Sequence, residues 1–565
     1  MHKDSMTDFF TVSQIRNYFN NDPLLDWLQR FGEKNGYSQD PPGSEKYNQL
    51  VMKKGKEFEE KIYSALGVDP LVSSFKPEED FEKTVSLLSN GINVLSQATL
   101  VNYSNNSWGI ADLIVSKNWF LEKYPQFESK LDGFDGYLVG EIKFKKAKNG
   151  KKGYSFEKKD RMFYVAQLKT YIDATSKIVP VFKEGFILAR DPPPIPHNGR
   201  PGTPIFLPIE KEVNERISSA LSWLKKVIDD GENIFPGCCS EMYSNMNNHE
   251  SFPWSNAKKQ IAEELDEITR ITEISISMRN KLHNLGVFSG AGLARKVLVE
   301  QDPEVLSLLP NGSESVKKRR ILAVLEANYG NRPLFIPRND ELEAKWLVPS
   351  NAEFFVDFET FNSVNDDFSR FPEAGGTPIT YMIGCGDMIE GEWVFKCFVA
   401  REETYEEEKR IFSEFYDYLI HRCNVAGSSL KNAVVFHWAS HEVTNTRKAS
   451  ERHNVPQWSE LNWTDLGAIV KNYPLYVKGA FDYKLKSIAK ALFRSGKIQT
   501  VWEEGGLGDG LTAMTISWEV YSEAKEKQLD PLSHPVMKEV IKYNEIDCKT
   551  TCEILNWMRD YLSMY

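Results

Sequence analysis

Two groups of residues that could bind metal ions and phosphate lie far apart in this 565-residue chain. The first group contains Glu59, Asp112, Glu141, Lys143, Gln167 and Tyr171. The second group contains Asp357, Glu359, Glu442, Tyr543 and Asp547. Carboxylates are the hard oxygen ligands that Mg²⁺ prefers, and a lysine or tyrosine beside them can contact a phosphate or an attacking water. Each group therefore predicts metal-dependent hydrolysis of a phosphodiester bond.

The sequence around the first group predicts two strands between two helices. These elements cover, in chain order, residues 52–66, 109–115, 137–144 and 161–174. Because successive side chains of a strand point to opposite faces, Glu141 and Lys143 share one face of the sheet. Gln167 and Tyr171 are four residues apart on a helix and also share a face, which could line the site.

The first group resembles the PD-(D/E)xK nuclease superfamily, and in particular its RecB-like branch. That branch combines a G-x₃-E helix, a G-x-x-D strand, an E-x-K strand and a Q-x₃-Y helix. The matching pairs, in the same order, are Gly55 and Glu59, Gly109 and Asp112, Glu141 and Lys143, and Gln167 and Tyr171. The resemblance implies a restriction-endonuclease-like α/β fold in which Glu59, Asp112 and Glu141 bind the metal. It also implies that Lys143 positions or stabilises the nucleophile.

Several RecB-like relatives hold an iron–sulfur cluster on one Cys near the N-terminus and three Cys after the nuclease core. The N-terminal position corresponds to residues 20–23, which contain no Cys, and the core is followed by Cys238 and Cys239 alone. We therefore expect no iron–sulfur cluster, and Mg²⁺ or Mn²⁺ as the cofactor.

The second group combines a strand and a helix. Asp357 and Glu359 lie two apart in a β-prone run, so they share a face. Tyr543 and Asp547 lie four apart in a helical run and also share a face. This arrangement resembles the DEDD exonucleases of the RNase H-like fold, in the variant with Tyr four residues before the last Asp. The resemblance implies two metal ions, a water-orienting Tyr543, and hydrolysis of nucleotides from a 3′ end.

The remaining carboxylate of the second group departs from the usual pattern. DEDD nucleases usually place an Asp there, whereas FHWASHEVTN offers Glu442 beside His437 and His441. A YprB-like subgroup shows a related pattern with Glu, which favours Glu442 as the metal ligand. Asp465 is the alternative. We expect the two histidines to pack near the site rather than to bind the metal.

Residues 257–330 are predicted to form a compact helical region. Its stretch LHNLGVFSGAGLA has turn glycines at Gly286, Gly290 and Gly292 and resembles helix-hairpin-helix material. Such a turn can direct backbone N–H groups at a phosphate, and the basic residues 317–320 follow it in sequence. The alternative is a helical spacer that joins two domains.

The chain as a whole is predicted to be an α/β multidomain protein. We predict a RecB-like nuclease domain at 1–240, the helix-hairpin-helix-like region at 257–330, and a YprB-like RNase H-like domain at 350–565. The polar stretches 243–256 and 332–345 are predicted to connect them. This order resembles a family of predicted RecB-like nucleases over nearly the whole chain.

Composition and charge restrict the cellular context. The net charge of −11 does not exclude nucleic acid, because binding depends on local charge, and residues 143–161 hold nine Lys or Arg and two acids. No apolar run is long enough to span a membrane, and the N-terminus lacks the apolar core of a signal peptide. Seven Cys fit a reducing compartment. We therefore expect a cytoplasmic protein without a membrane partner.

The leading hypothesis is a Mg²⁺- or Mn²⁺-dependent nuclease with two active sites. We expect DNA rather than RNA as its substrate, although the sequence contains no feature that reads a 2′-OH. A helicase or another DNA-processing protein is a candidate partner. The alternative from another class is a nucleic-acid-binding or scaffold protein in which one or both sites have lost their chemistry.

Overall fold

In the computed structural model the chain folds as two compact units. The structure describes residues 9–41, 43, 45–74, 76–151, 153–310, 315–337, 346–389, 391–503 and 507–564. Unit 1 comprises Met1–Ser44, Asn48–Ile261 and Asp366–Gly376, and unit 2 comprises Glu45–Tyr47, Ala262–Asn365 and Thr377–Tyr565. Residues 1–8, the start of the N-terminus for which no signal peptide is predicted, lie outside the described residues. The same holds for residues 338–345 of the predicted connection 332–345.

Unit 1 is built on a mixed six-stranded sheet and a separate hairpin. The strands are β1 (Phe10–Thr11), β2 (Val94–Asn102), β3 (Ser107–Ser116), β4 (Tyr137–Lys146), β5 (Lys148–Gly150), β6 (Gly153–Ser155), β7 (Gly185–Asp191) and β8 (Ile205–Leu207). The helices are α1 (Ile15–Phe19), α2 (Leu24–Phe31), α3 (Lys46–Leu66), α4 (Pro77–Ser89), α5 (Lys117–Lys123), α6 (Lys158–Thr175), α7 (Lys211–Asp230) and α8 (Ser255–Glu264). The sheet order is β1-β3-β4-β7-β8, with β2 also paired to β3, and β5 and β6 form the hairpin.

The central strands β3 and β4 are apolar on both faces, which explains why their sequences read as nearly continuous hydrophobic runs. Leu113 and Leu138 belong to one apolar core, whereas Ile114 and Val139 belong to another. All four side chains are completely buried. Because both faces of the sheet are covered here, the polar side chains of β3 and β4 are shielded from bulk water. They can therefore contact other polar groups of the site or a ligand.

The predicted connection at 243–256 is instead a folded part of unit 1. Asn245 and Asn248 are buried, and both donate hydrogen bonds to the carboxylate of Asp22, the first from its backbone and the second from its side chain. Nζ of Lys258 lies 2.7 Å from Oδ2 of Asp22, with side-chain exposures of 2% and 0%. The Asn-rich composition therefore reflects hydrogen bonding to a buried acid rather than a solvated linker.

Unit 2 contains a second mixed sheet, a small two-stranded sheet and many helices. Its strands are β9 (Leu334–Phe335), β10 (Glu353–Thr360), β11 (Thr380–Ile389), β12 (Glu392–Val399), β13 (Val434–His437), β14 (Trp463–Asp465) and β15 (Tyr476–Val477). Its helices are α9 (Ile276–Asn284), α10 (Gly290–Ala294), α11 (Pro303–Leu308), α12 (Val316–Tyr329), α13 (Tyr405–Val425), α14 (His441–His453), α15 (Leu466–Asn472), α16 (Leu485–Arg494), α17 (Gly510–Lys527) and α18 (Pro535–Met564).

The larger sheet of unit 2 has the order β12-β11-β10-β13-β14. Strand β11 pairs antiparallel with both β10 and β12, whereas β13 pairs parallel with β10 and β14 pairs parallel with β13. The central strand β10 is mostly buried, and the long helix α18 packs against it. This arrangement places the polar residues of β10 beside those of α18.

Candidate active sites

The first group of predicted site residues comes together in unit 1. Asp112 lies on β3, Glu141 and Lys143 on β4, and Glu59 on α3. The backbone N–H of Ile142 donates to Oδ2 of Asp112 at 2.7 Å, and the N–H of Asp112 lies 3.4 Å from Oε1 of Glu141. Nζ of Lys143 lies 2.5 Å from Oε2 of Glu141. Three carboxylates and one ammonium group therefore meet where β3 and β4 pair.

The carboxylates of this site oppose one another's ionisation. Burial raises the pKa of Glu141 to about 8, and the neighbouring charge of Asp112 adds to the increase. Burial and then the charge of Asp112 also raise the pKa of Glu59. Burial lowers the pKa of Lys143, but the charges of Glu141 and Asp112 outweigh this and raise it above its usual value. The lysine therefore stays charged, and a bound divalent cation would favour the ionised form of the acids.

Gln167 and Tyr171 lie on α6, one turn apart, and Nε2 of Gln167 donates to the Tyr171 hydroxyl at 3.4 Å. The Tyr171 ring is buried against β3 at Gly109, where an added Cβ would lie 2.8 Å from the ring. The glycine of the G-x-x-D strand thus makes room for the tyrosine of the Q-x₃-Y helix. Gly55 on α3 has no such close neighbour, because a Cβ added there would have no atom of the described residues within 4 Å.

Gln97 is a site residue that sequence reasoning missed. It lies on β2 with φ of +53°, in the left-handed region, within a strand. Its side-chain amide donates to Oε1 of Glu59, to the Tyr63 hydroxyl at 2.9 Å, and to Oδ1 of Asp112 at 3.5 Å. A non-glycine residue with positive φ is costly and concentrates at functional sites. No sequence motif marks Gln97, and the register of β2 with β3 passes from Ser96 to Ala98 without including it.

The second group of predicted site residues comes together in unit 2. Asp357 and Glu359 lie on β10, Tyr543 and Asp547 on α18, and Glu442 at the start of α14. Glu359, Glu442, Tyr543 and Asp547 are buried, and Asp357 is half-buried. The side-chain amide of Asn544, next to Tyr543, donates to Oδ2 of Asp357 at 2.7 Å.

The electrostatics of this site show that its four carboxylates interact. Burial, followed by the charges of Asp547, Glu359 and Glu442, raises the pKa of Asp357 well above its usual value. Burial and then the charge of Asp547 do the same for Glu359. Burial raises the pKa of Asp547 to about 7, and the charge of Glu442 adds to it. Burial raises the pKa of Tyr543 far above its usual range, so its phenol stays protonated and acts as a hydrogen-bond donor.

The structure brings Glu442 rather than Asp465 to the other three carboxylates. Oδ1 of Asp465 accepts hydrogen bonds from the backbone N–H groups of Ala468 at 2.7 Å and Ala439 at 3.0 Å. It thereby caps α15 and holds the turn that precedes α14. Oε2 of Glu442 lies 3.3 Å from Nδ1 of His437. That nitrogen donates its one hydrogen to the carbonyl oxygen of Ala439, so within the described residues Oε2 of Glu442 has no hydrogen-bond donor.

The two histidines differ in their surroundings. His437 is buried, and its ring centroid lies 5.5 Å from that of Trp463. His441 is exposed, and its Nε2 lies 3.4 Å from the Thr360 hydroxyl and 3.2 Å from the side-chain amide of Asn445. His437 therefore packs beside Glu442 inside the domain, whereas His441 lies at the rim.

Among the residues that the structure describes, no three His, Cys, Asp or Glu side chains already surround a common point as metal ligands. The chemistry of the donor sets nevertheless fits divalent cations at both sites. Each set consists of buried or half-buried carboxylates, and such oxygens are the preferred ligands of Mg²⁺ and Mn²⁺.

Comparison with known families identifies the fold of the second site. The family model RNase_H_2, of the RNase_H superfamily, matches residues 373–559. The chain therefore contains an RNase H-like domain. The match includes Glu442, Tyr543 and Asp547 and begins after β10. No curated protein matches the chain.

The RNase H-like domain indicates a nuclease-type activity on nucleic acid, and nucleases of this fold generally use divalent metal ions. Its sheet order agrees with this assignment, because a central strand has an antiparallel pair on one side and parallel strands on the other. None of the described helices has the length and apolar character needed to cross a membrane.

The helical segment that was predicted to contact phosphate is bonded internally. Oδ2 of Asp266 accepts from the N–H of Ala291 at 2.7 Å, and the carbonyl oxygen of Asp266 accepts from the N–H of Gly290 at 2.8 Å. Nη1 of Arg320, in the basic run 317–320, lies 2.6 Å from Oε1 of Glu273. These amide and guanidinium groups already have protein partners, and the helical segment belongs to unit 2, where its apolar residues share that unit's core. The phosphate-binding turn stays a prediction.

The basic run 143–161 is also partly paired with acids. Its ion pairs include Lys145 with Asp160, Lys148 with Glu157, Lys159 with Glu250, and Arg161 with Glu210. The hairpin formed by β5 and β6 follows directly after the strand that carries Lys143, and most of its residues are exposed. The run therefore carries less unpaired positive charge than its sequence indicates.

Proposed function

We propose that the chain is a Mg²⁺- or Mn²⁺-dependent nuclease with two active sites. One is a RecB-like site of a PD-(D/E)xK domain, built on β3 and β4, and the other is a DEDD-type 3′–5′ exonuclease site in the YprB-like RNase H-like domain. The observation that carries the proposal is the convergence of four carboxylates on β10, α14 and α18 within a fold of known nucleases. Bringing four carboxylates together away from water is costly, and bound divalent ions would compensate that cost.

Each site offers ligands for divalent ions. Asp357, Glu359, Glu442 and Asp547 would hold two ions in the RNase H-like domain, and Glu59, Asp112 and Glu141 would hold an ion in unit 1. When bound, these ions supply charge stabilisation to the phosphodiester group as it is hydrolysed.

The protein's own residues orient the reactants. The Tyr543 phenol, which stays protonated, donates a hydrogen bond that orients the attacking water and does not remove its proton. In the first site, the charged ammonium of Lys143 is held beside Glu141 and can contact the scissile phosphate. Tyr171 and Gln167 act at a distance by fixing α6 against β3.

The proposed substrate is DNA, and a helicase or another DNA-processing protein is the proposed partner. The exposed hairpin of β5 and β6 supports contact with a phosphate backbone, which both DNA and RNA possess. Cleavage assays must therefore include both nucleic acids.

The test is Mn²⁺-dependent cleavage of end-labelled single- and double-stranded DNA and RNA. The wild type is compared with Lys143→Ala, Asp357→Ala and the double variant. We expect each single variant to lose a different set of products and the double variant to lose both. Wild-type cleavage that does not exceed the background of the double variant would instead support a nucleic-acid-binding or scaffold protein.

Matched control variants distinguish the loss of a metal ligand from the loss of a negative charge nearby. Glu60→Gln removes an exposed acid beside Glu59, and Glu539→Gln removes an exposed acid from the helix that carries Asp547. Both controls should cut like the wild type, whereas Glu59→Gln and Asp547→Asn should not. Equal losses in a control and its partner would contradict the site assignment.

A further inference from the structure

Lys486 lies beside the carboxylates of the RNase H-like domain, although no motif points to it. It is at the start of α16 and is half-buried. Its Nζ donates to the carbonyl oxygen of Gly508 at 2.7 Å. The same atom lies 4.5 Å from the ring centroid of Tyr543 and 5.3 Å from that of Trp502. The ammonium is thus fixed on the face of the proposed water-orienting tyrosine.

The charge of Lys486 acts on the whole carboxylate group. It lowers the pKa of Asp357, Glu359 and Asp547, opposing the increase caused by burial. Within the described residues, no carboxylate lies in ion-pair contact with Nζ; its close partners are a carbonyl oxygen and two rings. The lysine therefore balances the site electrostatically without being held by any one acid.

An ammonium group has three N–H donors, and the carbonyl oxygen of Gly508 uses one of them. Once divalent ions neutralise the carboxylates, the nearest anion left for the other donors is the phosphate of a bound strand. The rings of Tyr543 and Trp502 restrict the ammonium, so it can meet that phosphate without a large loss of side-chain entropy.

We propose that Lys486 is a phosphate-binding residue of the RNase H-like site, which contacts the scissile phosphate beside Tyr543. This assignment rests on the proposed nuclease function of the same site. A purely structural lysine would only pack on the rings and neutralise the acids, and its loss would change stability without a specific effect on bound phosphate.

The experiment uses the full chain with Asp112→Asn and Glu141→Gln, which remove two proposed metal ligands of the first site, so that this site contributes neither metal binding nor cleavage. Lys486→Met and Lys486→Arg are compared with Lys490→Met, which removes an exposed lysine one turn further along α16. Three quantities are measured: Mn²⁺ affinity by calorimetry, single-turnover cleavage of a 3′-labelled strand, and binding of that strand in EDTA by fluorescence anisotropy.

We expect Lys486→Met to bind Mn²⁺ about threefold more tightly or better, because a repelling positive charge is removed. We also expect its cleavage rate to fall by about tenfold or more. Strand binding in EDTA should weaken, Lys486→Arg should recover part of the cleavage rate, and Lys490→Met should match the parent. Tighter metal binding with slower cleavage is a combination that a packing defect does not produce.

Two results would overturn the role of Lys486. One is a cleavage rate and strand affinity of Lys486→Met equal to those of Lys490→Met. The other is weaker Mn²⁺ binding together with a lower melting temperature. If the parent protein neither binds Mn²⁺ nor cuts the strand, the proposed nuclease function is contradicted independently of the role of Lys486. Strand binding in EDTA that Lys486→Met alone weakens would then still support the phosphate contact.

Discussion

The side chain of Asn544 fixes Asp357 in place: its Nδ2 donates to Oδ2 of Asp357 at 2.7 Å and to the carbonyl oxygen of Asp357 at 3.1 Å. Asn544 can lie there because Gly384 is the partner of Asp357 on β11. A Cβ at position 384 would be 1.6 Å from Oδ1 of Asn544. The geometry of the first carboxylate of the motif therefore depends on a missing side chain in the neighbouring strand.

Gly384→Ala should displace Asn544, misplace Asp357 and reduce cleavage by the RNase H-like site about tenfold or more. It should also destabilise unit 2 by roughly 1–3 kcal/mol, because the buried region cannot expand freely. Thermal unfolding and 3′-end cleavage report the two effects. The double variant Gly384→Ala, Asn544→Ala should regain stability but not activity, and recovery of activity in that variant would contradict this relationship.

Glu442 and Asp465 should respond in opposite ways to substitution. Glu442→Gln should lower cleavage by about 10- to 100-fold with little change in melting temperature, since it removes a proposed metal ligand. Asp465→Ala should cost about 1–2 kcal/mol of stability through the loss of a helix cap, yet retain cleavage below its melting temperature. A variant pair with the reverse pattern would make Asp465 the metal ligand.

Metal binding by the RNase H-like site should strengthen as the pH rises from 6 to 8. Burial raises the pKa of Asp547 to about 7, so this carboxylate is mostly protonated at pH 6 and mostly ionised at pH 8. Mn²⁺ must displace that proton at low pH, so the apparent Kd should fall by about tenfold between pH 6 and 8, with the larger part of the fall below pH 7. Calorimetry on the Asp112→Asn variant, whose first site is impaired, measures it. A Kd that is independent of pH would contradict the raised pKa.

Gln97→Gly should separate stability from activity at the first site. Glycine relieves the positive φ but gains freedom in the unfolded chain, so the free energy of unfolding should change by less than about 1 kcal/mol. Mn²⁺ affinity and cleavage by the first site should nevertheless fall, because the amide that bridges Glu59 and Asp112 is lost. Asn106→Gly is the matched control, since Asn106 also has positive φ, at +52°, but lies in the turn between β2 and β3. Equal activity in both variants would show that Gln97 has only a backbone role.

The buried pair of Asp22 and Lys258 should dominate the stability of unit 1. Lys258→Met leaves an unpaired buried carboxylate and should cost roughly 3–5 kcal/mol. Lys34→Met breaks an exposed pair with Glu232 and should cost less than about 1 kcal/mol. Chemical denaturation of both variants measures the difference. A similar cost for the two substitutions would mean that Asp22 gains another partner.

Sequence patterns place the strands that carry Asp112, Glu141 and Asp357, because these are strongly apolar runs in which an acid is conspicuous. They also place Tyr543 and Asp547, because helical spacing alone puts them on one face. The patterns do not reveal Gln97 or Lys486. Those residues reach the sites through strand pairing and helix packing between segments distant in sequence, and neither belongs to a spaced motif.

The prediction that the Asn/Ser-rich stretch 243–256 is a solvated connection is wrong for a related reason. Its composition is typical of a solvated connection, and only the position of a buried acid more than two hundred residues earlier (Asp22) shows that these amides are needed as donors. Composition identifies the polar groups in such a segment but not their distant partners.

The Asp22–Lys258 pair also has a consequence for synthesis on the ribosome. Asp22 emerges early, and the strands β2 to β8 follow it, but the cation that compensates its charge emerges only after all of them. Until then Asp22, which lies between α1 and α2, stays solvated, and unit 1 reaches its final fold only when the segment around Lys258 and then Asp366–Gly376 have left the exit tunnel.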